Sequence, residues 1–172
     1  MRLRAFTLVE LIFVIVIIGV LATVAVPRFS NLTSNAKISS ELSTASAVET
    51  AIESAHSEWI VSDCGFIWGA DKNSDCSQNK NSINNDFNCS TGYPQHLGNC
   101  STNEPFIYIL KNGSSLNDDW NCSDSGGEIV TFQGPASKNG SGVRENNKKP
   151  DENDCWEYNR SNGNFTLKEN CT

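Results

Sequence analysis

No two of the seven cysteines stand at the short Cys-x-x-Cys spacing, which argues against a structural zinc site. Basic clusters are missing too: Lys148-Lys149 is the only adjacent basic pair, and the formal net charge is -7. A face that binds nucleic-acid phosphates needs grouped Lys and Arg, so no nucleic-acid partner is expected. Histidine is scarce. His56 and His96 are the only two, and neither a Gly-x-Ser-x-Gly, a phosphate loop nor a paired-histidine metal motif accompanies them. Both imidazoles read as surface side chains, and no enzyme is expected. Apolar mass is thin beyond the first third, where Asn, Ser, Gly and Asp dominate. The mean hydropathy of -0.37 averages these two unlike parts.

A small polar domain short of apolar mass is where disulfides add most to stability. Cys64, Cys76, Cys89, Cys100, Cys122, Cys155 and Cys171 all follow the apolar run, and the first four lie 12, 13 and 11 positions apart. They read as disulfide candidates stapling loops. Seven is odd, so at least one thiol is free or pairs between chains.

The apolar run, Phe6 to Val26, is long enough to cross a bilayer as a helix, and Arg2 and Arg4 precede it. The positive flank belongs in the cytoplasm, which puts the cysteines where disulfides persist. A secretory signal peptide competes, with Ala22 or Ala25 at its cleavage site, but the run exceeds a usual signal core. A plain anchor is the other competitor. Neither accounts for Glu10, a carboxylate inside an otherwise apolar segment, where an ionisable group is costly and points to function.

Ala5-Phe6-Thr7-Leu8-Val9-Glu10-Leu11 resembles the prepilin cleavage and methylation motif of type IV pilins and type II secretion pseudopilins. The resemblance implies a leader of residues 1–5, cleavage between Ala5 and Phe6, N-methylation of Phe6, and Glu10 as the assembly glutamate. Ala5 departs from the family's usual Gly at that place. Gly19 and Pro27 fall where the family has a Gly and a Pro. Pro27 removes a backbone donor and Gly19 lowers helix propensity, so both are expected to kink or loosen the helix. The chemistry suits the spacing. A free amine on Phe6 and the Glu10 carboxylate of a neighbouring copy attract strongly in an apolar bundle, which favours one axial register.

From residue 30 to about 60, Ile38, Leu42, Ala45, Val48, Ile52, Ala55 and Trp59 form one apolar stripe, while Ser39, Ser40, Glu41, Ser43, Thr44 and Glu49 fall mostly off it. The stripe is expected to pack on the chain's own domain. Residues 62–104 form a long polar stretch whose cysteines suit stapling. Phe106–Leu110 and Glu128–Phe132 read as strands. Trp156 and Tyr158, then Phe165 and Leu167, read as a β-hairpin across Asn162-Gly163. Pilins often close a C-terminal loop with a disulfide, so the resemblance implies a Cys155–Cys171 pair. Trp59, Trp68, Trp120 and Trp156 read as core and hairpin anchors.

Asn117, Asp119, Asn121, Ser123 and Glu128 have the alternate spacing of a calcium loop, although Cys122 stands where a Gly is required. A solvated acidic turn is the better reading, and calcium the one cofactor the sequence suggests. Asp86–Ser90 and Asp119–Ser123 match an extended N-glycosylation acceptor, centred on Asn88 and Asn121, which an Asn-rich chain also produces by chance.

The expected fold is α+β and pilin-like, with a long N-terminal helix packed on a small antiparallel sheet. Its parts are the leader 1–5, a transmembrane and assembly half 6–29, an amphipathic half 30–60, and a periplasmic or extracellular head 61–172 with a Cys-rich loop. The expected function is a filament subunit that partners its own copies and is anchored in the inner membrane by one pass. The resemblance implies a prepilin peptidase, an assembly ATPase and a platform protein as its machinery. A secretion-type pseudopilin is preferred on the calcium-loop reading, with a surface pilus and a tethered, non-polymerising binding domain as alternatives.

Overall fold

A computed structural model describes residues 7–62, 67–68, 74–76, 86–138, 149–151 and 153–171. The expectations for Ala5, Phe6 and Cys64 fall outside these residues. The chain divides into two compact units, Met1–Ala36 and Lys37–Thr172. One helix, α1, runs from Leu8 to Val61 and passes through Gly19 and Pro27.

In the C-terminal unit, α1 buries Ala45, Val48, Ile52 and Ala55, one face at spacings of three and four. Strands β1 (Ile67–Trp68) and β2 (Ser74–Asp75) pair antiparallel, as do β3 (Phe87–Asn88) and β4 (Tyr93–Pro94). The main sheet holds β5 (Asn121–Asp124), β6 (Ile129–Gln133), β7 (Cys155–Asn159) and β8 (Phe165–Lys168), in sequential antiparallel order. Trp156 faces Leu167 and Tyr158 faces Phe165, so the expected hairpin is the β7–β8 pair. Inward side chains of β6 to β8 meet the helix face in one core with Leu97, Phe106 and Trp120. Within it, Phe106 stacks on Phe132 at 5.0 Å and Trp156 on Phe165 at 5.3 Å. Tyr158 is fully buried, donates to the Pro94 carbonyl at 2.6 Å, and its phenol is pushed up by desolvation.

Phe106–Leu110 is not a strand. Both Ile109 and Leu110 donate backbone N–H groups to the Phe106 carbonyl, a helical type of turn. That geometry puts Phe106, Ile109 and Leu110 on the core and leaves Ile107 and Tyr108 exposed. The five residues are β-prone by type, but their burial follows the helical period, and burial decides.

Glu41 reverses the expectation made from the stripe. Its side chain is wholly buried, while Leu42 is 36% exposed. The carboxylate accepts from the Ala136 and Ser137 N–H groups at 2.7 and 3.1 Å, the Ser137 hydroxyl at 2.8 Å and the Trp156 indole at 3.0 Å. Gly134 lies so close that a Cβ there would stand 2.5 Å from Glu41 Cδ.

Disulfides join Cys76–Cys89, Cys100–Cys122 and Cys155–Cys171. The last closes the β7–β8 hairpin over 16 residues. A loop of that size contributes about 3 kcal/mol by restricting the unfolded chain. The double change Cys155→Ser with Cys171→Ser is expected to lower the thermal midpoint by roughly 10 °C. Circular dichroism of the detergent-solubilised chain measures it, and an unchanged midpoint would remove the staple from the account of stability.

Candidate assembly site at the start of the helix

Leu8–Val26 spans 19 residues with a mean hydropathy of 2.9, and none of it is buried by the rest of the chain. Each large apolar side chain left in water forfeits about 1.5–3 kcal/mol that burial would return. This surface therefore needs lipid or other helices around it. A helix satisfies its own backbone polar groups, which suits either surrounding.

The helix start is built by two side chains. Thr7 donates its backbone N–H to Glu10 Oε2 at 3.1 Å and its hydroxyl to the same oxygen at 3.0 Å. In return the Glu10 N–H donates to Thr7 Oγ1 at 3.3 Å. This is a reciprocal capping box, with Thr7 before the first turn and Glu10 three residues on. It satisfies N–H groups that a helix start leaves open and places an acid at the positive end of the helix dipole. It also gives the carboxylate two donors, which lowers the cost of holding it among apolar residues. Thr7 is a functional residue beyond the cleavage motif's own set, and Thr-x-x-Glu ahead of an apolar run is its helix-start signal in the sequence.

The other candidate residues lie elsewhere. Gly19 and Pro27 sit inside α1. Asn117 follows a 3-10 turn at Gly113–Leu116, and its Oδ1 is buried without a partner among the described residues. Asp119 is exposed, Asn121 and Ser123 stand on β5, and Glu128 is exposed just before β6. Among the described residues no three His, Cys, Asp or Glu side chains are grouped to hold a metal. Asn88 is buried, its Oδ1 accepting from the N–H and hydroxyl of Ser90 and the N–H of Thr91. That role in a turn leaves Asn88 closed to glycosylation in the folded chain.

An exposed apolar helix headed by a capped carboxylate, continued into a disulfide-stapled α+β unit, fits a pilin-like fold. The comparisons agree. Residues 1–26 match the family described as the prokaryotic N-terminal methylation motif. A type IV narrow pilus major component of Thermus thermophilus is 53% identical over 51 residues, 30% of this chain and 44% of that one. A fimbrial protein of Pseudomonas aeruginosa is 42% identical over 52 residues, 30% of this chain and 34% of that one. A type IV major fimbrial protein of Dichelobacter nodosus is 40% identical over 50 residues, 29% of this chain and 32% of that one. The likeness thus spans less than half of each relative. No solved structure matches the chain significantly. The similarity to pilus and fimbrial proteins is thus confined to the N-terminal segment.

Proposed function

We propose that the chain is a structural subunit of a type IV pilin-like filament. One observation carries the reading: an apolar helix with no cover of its own, headed by the Thr7–Glu10 pair and lying within the matched motif. In the membrane-held subunit, Glu10 is satisfied by its own Thr7. After a prepilin peptidase cuts before Phe6 and the new amine is methylated, the carboxylate exchanges Thr7 for the Phe6 amine of a neighbouring copy. That exchange fixes the stagger between copies, because a charge pair in apolar surroundings is poorly screened. An assembly ATPase and a platform protein drive the helix out of the inner membrane. Arg2 and Arg4 stay cytoplasmic, and the disulfide-bonded unit is periplasmic before it enters the filament.

Between the two filament types, the relatives support a pilus, since the three compared are pilus or fimbrial proteins. The pseudopilin reading leans on calcium at Asn117, Asp119, Asn121, Ser123 and Glu128. Its support is the unpartnered Asn117 oxygen, and the placing of Asn121 and Ser123 on a strand weighs against it.

Intact mass and N-terminal sequencing of membrane-extracted protein, with and without prepilin peptidase, test the proposal. The expected product is a chain that starts at methylated Phe6 only when the peptidase is present. A chain that retains Met1, or that begins beyond Val26, would sink it in favour of a tethered or secreted domain.

A further inference from the structure

A polar cleft of about 600 Å³ lies in the C-terminal unit. Its walls come from the segment after β4 and from the end of β5, and the Cys100–Cys122 disulfide ties these walls together. Further bonds hold the cleft in shape. The Tyr108 N–H donates to the Leu97 carbonyl at 3.1 Å, and Asn99 pairs with Glu104 through both backbone groups at 2.8 Å. Asp124 accepts from Arg160, from the Gly126 N–H at 2.9 Å, and lies 3.2 Å from His96 Nδ1.

Charge and side-chain type narrow the ligand. No Lys or Arg lines the cleft among the described residues, so an anion finds no counter-charge. Arg160 offsets Asp124, which leaves Asp86 as the uncompensated acid in the lining among the described residues. No group of three metal ligands stands there among the described residues. What remains is a mixed set of neutral donors and acceptors, chiefly the Asn99 amide N–H₂, whose Oδ1 is taken by the Ser101 and Thr102 N–H groups, and the Ser123 hydroxyl, beside Tyr108, which is 43% exposed. A small ammonium would use Asp86 and the ring but leave the hydroxyl and amide groups idle. A neutral polyhydroxylated ring uses all of them, as its hydroxyls both donate and accept while its C–H face lies on an aromatic face. The volume suits a ligand of one to two such rings.

We propose that this cleft binds a neutral saccharide, with Tyr108 as the platform and Asp86, Asn99 and Ser123 as hydroxyl partners. Binding needs no polymerisation, so the site is independent of the filament reading. Its preset walls lower the ordering cost that weak ligands meet.

Saturation-transfer NMR on the detergent-solubilised full chain tests it, using lactose, maltose and cellobiose as probes, with choline and inorganic phosphate alongside. Transfer to the ring protons of at least one disaccharide is expected. Tyr108→Ala is expected to weaken that binding at least about tenfold, and Tyr108→Phe, which keeps the ring face, to change it by less than about threefold. Near-UV circular dichroism checks that each variant keeps the fold. The proposal is overturned if no disaccharide shows transfer, if Tyr108→Ala binds like the parent, or if choline or phosphate binds in their place.

Discussion

Glu41→Ala is expected to destabilise the C-terminal unit by about 4 kcal/mol, since several buried donors lose their acceptor at roughly 1–3 kcal/mol each. Four donors from three residues converge on this carboxylate: two backbone N–H groups, a hydroxyl and the Trp156 indole. Truncation strands them in a dry site and opens a void. The thermal midpoint falls by roughly 10 °C at that cost. Glu41→Gln keeps the volume but turns an N–H₂ toward two of the donors, so about half the loss is expected. Chemical unfolding followed by tryptophan fluorescence reads both changes, since the Trp156 indole reports the broken bond. A loss below about 1 kcal/mol in Glu41→Ala would mean that water replaces the carboxylate, and the keystone role would fall.

Glu10→Leu is expected to abolish filaments while improving residence in the membrane. A carboxylate near the end of a spanning helix opposes insertion, and leucine removes that opposition. The same change deletes the partner of the Phe6 amine in a neighbouring copy, and truncating one member of a desolvated pair costs roughly 2–5 kcal/mol. The sheared filament fraction is therefore expected to fall at least about a hundredfold against an undiminished membrane pool. Immunoblots of both fractions measure the ratio. Filaments at the parental level would remove Glu10 from assembly, and loss of the membrane pool would make its role one of insertion.

These two glutamates mark what a sequence of this kind discloses. Glu10 announces itself because it interrupts an apolar run. Glu41 hides, because a lone acid beside an apolar stripe resembles a solvated flank. Yet position 41 continues the stripe as well as position 42 does, four residues before Ala45. Its partners lie 95 to 115 residues away, at Ala136, Ser137 and Trp156, and local pattern carries no trace of them. The hairpin of β7 and β8 was readable, since alternation and Asn162-Gly163 are local signals. Phe106–Leu110 misled, because β-prone residues in a short run take whichever period the surrounding core requires. The Thr7–Glu10 cap was written in the sequence and was overshadowed by the cleavage motif that shares its residues.

The three disulfides among the described residues also divide the chain mechanically. Drawn out under tension, the polypeptide cannot release the 13, 22 and 16 residues that the bonds enclose. The Cys100–Cys122 loop alone withholds 22 residues, roughly 75 Å of contour at ~3.4 Å per residue. The 54 residues of α1 carry no such tether. Unwinding from ~1.5 to ~3.4 Å per residue would lengthen that helix by about 100 Å. Extensibility in this protein thus resides in its helix and in the segments between the disulfide loops, while the cross-linked loops hold their length for as long as they stay oxidised.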